Sequence, residues 1–299
     1  MSGKTINADL LERLPGSPPP SRRLTATGNK VREQLDLARH AIRNVASGRK
    51  LMQMIGSEPG LGKTYLTLQE LRALGIRVDW VAPATDAAFV EVLYDYRDEK
   101  VIVLDDSDGL ARSERVASIT KMAFGPTGTV IRDTSKARKN ALKEGNDKHD
   151  PSIPPPQFKV RCGLIWLTNI NFTDPANIAN HMAPHFRALC SRGLDPMWID
   201  TSDTEDLCRY CVWLGTEGNM LRGLQITKPV SEAAIKWFIE NRDCLREVSP
   251  RTLRRCAETM MQGYNDTELE LALKAFLFGE PVRSIPGVQI PKLVAGKWG

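Results

Sequence analysis

The segment Gly56-Ser57-Glu58-Pro59-Gly60-Leu61-Gly62-Lys63-Thr64 constrains this chain more than any other. An apolar run precedes it (Leu51, Met52, Met54, Ile55) and a helix-compatible run follows it (Tyr65 to Leu74). Strand, glycine-rich loop, helix is the context in which the pattern G-x-x-x-x-G-K-[ST] has physical meaning. Glycines let the backbone turn tightly, so consecutive N–H groups face one point at a helix N-terminus, where an anion is stabilised. Lys63 adds a cation suited to the β- and γ-phosphates of a nucleotide, and Thr64 a hydroxyl suited to magnesium. The expected phosphate cradle is therefore Gly56 to Thr64, with Tyr65 beside it.

Around this segment the pattern is that of an α/β chain. Apolar strand candidates fall at Leu51–Ile55, Val78–Ala82, Val101–Leu104, Gly163–Leu167 and Met197–Ile199. Near-continuous apolar strands alternating with helical segments predict a parallel sheet covered on both faces. A helix is expected over Val31–Ala46, ending at Gly48. From about Asp203 the pattern turns helical, at Thr204–Leu214, Ser231–Asn241, Ser249–Gln262 and Asp266–Phe278. The expected organisation is a flexible arm (1–30), a core (31–203), a helical lid domain (204–278) and an irregular tail (279–299). A length of 299 residues, 41% of them hydrophobic, accommodates one large and one smaller domain.

Four further segments carry polar residues where a phosphate site needs them. Val101-Ile102-Val103-Leu104-Asp105-Asp106 is an apolar strand ending in two carboxylates, 42 residues after Lys63. Asp105 suits a magnesium ion and Asp106 the orientation of an attacking water, with Asp108 as competitor for the second role. Leu164 to Asn169 is another apolar strand, and at a sheet's carboxyl edge Asn169 can hydrogen-bond the water or the γ-phosphate. Arg192, after an expected helix, suits a neighbouring subunit's γ-phosphate, with Arg187 as rival. Ser249-Pro250-Arg251 opens a helix, with Ser249 as N-cap and Pro250 at its first position. Arg251 in that first turn can swing over bound phosphates, with Arg254 and Arg255 one turn on.

In that order these segments resemble AAA+ ATPases, over roughly residues 31–262. Gly60-Leu61-Gly62-Lys63-Thr64-Tyr65, Leu93-Tyr94, Ser191-Arg192 and Arg251-Thr252-Leu253 are similar to the compact ATPases of bacteriophages and prophages. The resemblance implies a P-loop NTPase core with a five-stranded parallel sheet and an α-helical lid. It implies ATP and magnesium as ligands, and a homo-oligomeric ring or spiral in which catalysis is completed between subunits. The work expected is on DNA or a replication protein, as for a helicase loader or DNA remodeller. Two alternatives stay open: a protein remodeller or unfoldase, and a nucleotide-gated binding module with negligible hydrolysis. A peptide-gripping ring needs an aromatic-apolar-Gly loop after the second strand, whereas Pro83 to Phe89 lacks the glycine. Asp106, where relatives often have Glu, keeps the second alternative open.

Residues 132–157 interrupt the strand–helix alternation and read as a mobile insertion. Residues 132–150 hold six basic side chains against four acidic ones, and proline-rich sequence follows. In AAA+ rings this region often faces the central channel, so the insertion is a candidate for sequence-independent, salt-sensitive contact with a nucleic-acid backbone. A solvated loop is the competing reading. The net charge of +5 permits a polyanionic partner without demanding one. Six scattered cysteines read as reduced buried thiols, and no segment has signal-peptide or membrane-span character. A cytoplasmic protein with no membrane partner is expected, in the host cytoplasm if phage-encoded. Cys208/Cys211 and His181/His185 have metal-like spacing, but the first pair has no partner ligands and Pro184 divides the second.

Overall fold

The computed structural model of the chain describes residues 29–278, apart from 79, 133, 145–149, 151 and 263. The expected arm, up to residue 28, and the tail from 279 lie outside the described residues. The first helix, α1 (Lys30–Ala46), buries Val31, Leu35, Ala38, Ile42 and Val45, one stripe at helical spacing. Asn29 caps it, its Oδ1 accepting from the Arg32 N–H at 2.8 Å.

The chain then alternates. Strand β1 (Met52–Ser57) leads into α2 (Lys63–Ala73), and β2 (Trp80–Val81) into α3 (Asp86–Asp95). Next come β3 (Val101–Leu104), α4 (Glu114–Ala123), β4 (Thr129–Ile131), α5 (Ser135–Ala141), β5 (Gln157–Lys159), β6 (Gly163–Thr168), α6 (Ala183–Cys190) and β7 (Pro196–Ile199). Five of these strands form one parallel sheet in the order β2-β3-β6-β1-β7. Side chains alternate between its faces. Met52, Met54, Ile102, Leu104, Leu164 and Trp166 pack with residues of α3, α4 and α6. Ile55, Val101, Val103, Ile165 and Leu167 pack with α1 and α2. Both faces are covered, which is why the strands read as near-continuous apolar runs.

The interruption after α4 has structure at its base. Strands β4 and β5 pair antiparallel, with Val130 opposite Phe158, both buried. Helix α5 stands between them. Its Asn140 is tied to Asp150 twice, Nδ2 donating to the carbonyl at 2.7 Å and Oδ1 accepting from the N–H at 2.9 Å. Residues 132 and 157 are therefore joined to a hairpin rather than free, and the short strands escaped pattern reading because only Val130 and Phe158 face inward.

Five α-helices follow among the described residues: α7 (Thr204–Thr216), α8 (Met220–Gly223), α9 (Lys228–Glu240), α10 (Pro250–Met260) and α11 (Asp266–Leu277). They bury Cys208, Cys211, Phe238, Leu253 and Cys256 in a cluster that continues to α1 and the sheet. Asp206 joins α7 to α1: its carboxylate accepts from the Val31 N–H at 2.9 Å, and its carbonyl accepts from Asn29 Nδ2 at 3.0 Å. A domain after the sheet is thereby held against the helix that begins the described chain.

Candidate functional site

Strand β1 lies between β6 and β7, so the loop after it opens at the carboxyl edge of the sheet beside the ends of both. In parallel sheets that edge, where the order of connections reverses, is where ligands bind. The Gly56–Thr64 loop turns through two left-handed glycines, Gly60 at φ 86° and Gly62 at φ 97°. Gly62 directly precedes α2, and Leu61 is buried in the core between them. Gly60 has a second constraint. A Cβ on it would lie 2.5 Å from Glu247 Oε1 and 3.1 Å from Ser249 Oγ, so the loop meets the start of α10 at that point. Gly56 is similarly closed in, by the Trp198 ring of β7.

Lys63 Nζ is buried and fully partnered. It donates to the Ser57 carbonyl at 2.8 Å, Ser57 Oγ at 3.0 Å, the Glu58 carbonyl at 3.3 Å and Asn169 Oδ1 at 2.8 Å. Next to it Thr64 Oγ1 donates to Asp105 Oδ2 at 2.7 Å. Residues of β1, β3 and β6 ends thus meet within hydrogen-bond distance, although they are far apart in the sequence. Burial lowers the Lys63 ammonium from 10.5 to about 8, against the opposing pull of Asp105, Asp108, Glu58 and Asp106. Burial also raises Asp105 above the usual carboxylate value, partly offset by the Thr64 hydrogen bond.

The Lys63 shift has a sign that can be tested. Folding favours the neutral amine, so between about 8 and 10.5 the folded chain binds fewer protons than the unfolded one. Wild-type stability relative to Lys63→Met is expected to be flat below pH 8 and to rise from there to about pH 10.5. The gain should total roughly 3 kcal/mol. Urea titrations of both proteins at pH 7, 8, 9 and 10 read it, and a constant difference would show that burial does not act on this amine.

The carboxylates after β3 have different surroundings. Asp106 is exposed at φ 51°, and its side chain accepts no hydrogen bond among the described residues. Asp108 is engaged: Oδ1 accepts from Thr168 Oγ1 at 2.6 Å, and both oxygens accept from the Asn169 N–H at 3.3 Å. It clasps the loop after β3 to the end of β6, a link that no local sequence signal marks. Tyr65 is exposed on α2, its hydroxyl accepting from Gln69 Nε2 at 2.7 Å.

Among the described residues none of the candidate arginines hydrogen-bonds Lys63, Thr64, Asp105 or Asn169. Arg192, exposed at the end of α6, donates from Nη1 to the Ala188 carbonyl at 3.0 Å. Arg187 is exposed one turn earlier. Arg251 is exposed in the first turn of α10, after Ser249, whose Oγ accepts from the Thr252 N–H at 3.2 Å. Glu247 against Gly60 was missed by sequence reading, because nothing near it in the chain points to the loop. A cavity of about 660 Å³ separates the loop from the helical domain, with Leu61, Thr201, Leu207, Arg246 and Ser249 on its walls.

Thr64 and Asp105 provide hard oxygen donors of the kind magnesium takes. Among the described residues no group of three or more His, Cys, Asp or Glu is placed to hold a metal by itself. An ion here would therefore complete its shell with phosphate oxygens and water. Cys208 and Cys211 are both buried on α7, and His185 Nδ1 lies 3.1 Å from Lys121 Nζ rather than facing His181.

The fold is α/β, a five-stranded parallel sheet covered by helices on both faces. The five-stranded parallel sheet and the helical domain after it match what the resemblance to AAA+ ATPases implies. No protein-family model matches the chain. It is 22% identical over 232 residues to an uncharacterized 36.7 kDa protein from the nrdC-mobD intergenic region of Enterobacteria phage T4. That alignment covers 75% of this chain and 68% of the phage protein. A mutant of RuvB from Thermotoga maritima aligns over 82% of this chain and 69% of its own, with 14% identity and a TM-score of 0.43. A DNA replication initiation factor aligns over 84% and 66%, with 15% identity and a TM-score of 0.44. The chain thus spans about two thirds of each of these proteins. No described helix is long and apolar enough to cross a membrane.

Proposed function

We propose that the protein is a magnesium-dependent ATPase of AAA+ type that assembles as a ring or spiral and acts on DNA. The observation that carries this is the meeting of Lys63, Asn169, Thr64 and Asp105 at one edge of the sheet. These side chains converge from separate elements where a triphosphate would lie, and the N–H groups of the Gly56–Thr64 loop complete an anion site. In this reading the terminal phosphates take the place of Asn169 and the Ser57 and Glu58 carbonyls as partners of Lys63. Thr64 and Asp105 would hold magnesium, which supplies charge neutralisation to the phosphate oxygens. Asp106, exposed and unengaged, orients the attacking water, while Asn169, released from Lys63, reports the γ-phosphate. The cavity towards the helical domain takes the nucleoside. Arg251 acts from α10, whose start adjoins Gly60, and Arg192 reaches a neighbouring subunit's nucleotide.

DNA is the favoured partner because of the hairpin and α5. Lys136, Lys139, Lys143 and Lys159 are exposed there, and none forms an ion pair among the described residues. Exposed Ile131 and Leu142 flank them. The peptide-gripping alternative loses its aromatic residue: Phe89 is fully buried in α3, its ring centroid 6.4 Å from that of Trp166. The phage relative supports a phage setting.

The test is ATP turnover with and without DNA, together with DNA affinity across salt. Turnover is expected to rise with DNA. Replacing Lys136, Lys139 and Lys143 together by alanine should flatten the dependence of log affinity on log salt by about 2 to 3, nearly one per lost phosphate contact. Stimulation by unfolded peptide and not by DNA would favour the protein-remodelling alternative.

A further inference from the structure

A further arginine, Arg112, lines a cavity beside the Gly56–Thr64 loop. The loop after β3 is held firmly: Asp108 ties it to Thr168 and Asn169, and Ser107 Oγ donates to the Asp105 carbonyl at 3.1 Å. Leu110, 4% exposed, anchors the short 3-10 turn Leu110–Arg112 in the core. That anchoring carries Arg112 to the wall of a cavity of about 500 Å³, which it shares with Glu58, Asn169, Asn171, Trp198 and Asp200. Two of those residues, Glu58 and Asn169, supply oxygens that hold Lys63 Nζ. Arg112 therefore shares a cavity wall with two of the residues that hold Lys63, although Lys63 itself does not line that cavity. Its guanidinium pairs with neither Glu58 nor Asp200, and it forms no ion pair among the described residues.

We propose that Arg112 is a catalytic residue, contacting the γ-phosphate of the nucleotide bound in its own subunit. The inference rests on the ATPase reading above. A planar guanidinium offers two parallel donors to phosphate oxygens and stays charged at any working pH. In the step it serves, the water oxygen bonds to the γ-phosphorus and the bond from that phosphorus to the β–γ bridging oxygen breaks. The bridging oxygen leaves with the electron pair as part of ADP, and the water's proton passes to a neighbouring carboxylate and then to solvent. Arg112 is placed to bind the oxygens on which charge gathers, while Asn169 touches the same phosphate from β6.

The test compares full-length wild type, Arg112→Ala and Arg112→Lys for affinity towards ADP and towards the slowly hydrolysed analogue ATPγS, and for ATP turnover. Arg112→Ala is expected to lose about tenfold in ATPγS affinity with little change for ADP, the size of one charge-assisted contact. Turnover should fall on the order of 100-fold or more. Arg112→Lys should recover only part of both, because an ammonium lacks the planar fork. Equal ATPγS-to-ADP affinity ratios in wild type and Arg112→Ala would overturn the proposal. So would rescue of Arg112→Ala turnover by mixing with a Lys63→Met subunit, since that would place the arginine at a neighbour's nucleotide. A wild type that binds neither nucleotide would instead remove the ATPase reading itself, and this proposal with it.

Discussion

Lys63→Met is expected to abolish measurable ATP turnover, by on the order of 10²–10³-fold or more, while leaving the fold intact. The cause is the placement of the ammonium. It lies buried behind the loop, partnered by Ser57, Glu58 and Asn169, where a preorganised donor acts in low dielectric and needs no rearrangement of solvent. Removing it takes away the cation that the phosphates meet and leaves Asn169 without its partner. Methionine occupies similar space and removes a buried charge that the fold holds at a cost. The unliganded variant should therefore melt at or above the wild-type temperature at neutral pH. A phosphate-release assay beside a thermal melt separates the two effects. Equal turnover in both proteins would remove the assignment of this loop to nucleotide.

Arg192→Ala should cost about as much by a different route. An arginine acting from one subunit on its neighbour's nucleotide contributes about 10³–10⁵-fold to turnover. Arg192 is exposed at the end of α6, and among the described residues its only hydrogen-bond partner is the Ala188 carbonyl. Arg192→Ala alone should therefore bind ATP normally and hydrolyse it at a small fraction of the wild-type rate. Mixing it with Lys63→Met should restore turnover, because some interfaces then pair an intact loop with an intact arginine. Arg187→Ala measured in the same way decides between the two arginines. Failure of every mixture to recover activity would mean that the site is complete within one subunit.

Legibility followed the physics of each element. Strands β1, β3, β6 and β7 were readable to within two residues because both faces of the sheet are covered, so apart from Gln53, whose amide donates to the Met54 and Asp195 carbonyls, their side chains are apolar or small. Edge strand β2, expected over Val78–Ala82, spans Trp80–Val81 among the described residues. The helices α1, α7, α9 and α10 announced themselves by their stripes, and α10 also by its cap, Ser249. The hairpin β4–β5 and helix α8 did not, because pieces of three or four residues hold their shape through neighbours rather than through periodicity.

The candidate site divides in the same way. A loop whose conformation depends on glycines and whose chemistry depends on the next two residues is a local object, so Gly56–Thr64 could be read directly. The Asp105–Asp106 and Asn169 endings were also local, as polar residues closing apolar runs. Which of their atoms touch is a property of strand order, and the chain declares that order nowhere along its length. Only when β6 lies between β3 and β1 does Asn169 reach Lys63, does Asp108 hold Thr168, and does Arg112 share a cavity wall with Glu58 of the loop. Residue type and spacing determined what kind of chemistry this chain carries. The packing of its sheet decided which residues share it, because side chains distant in sequence interact only where the fold brings them within a few ångströms.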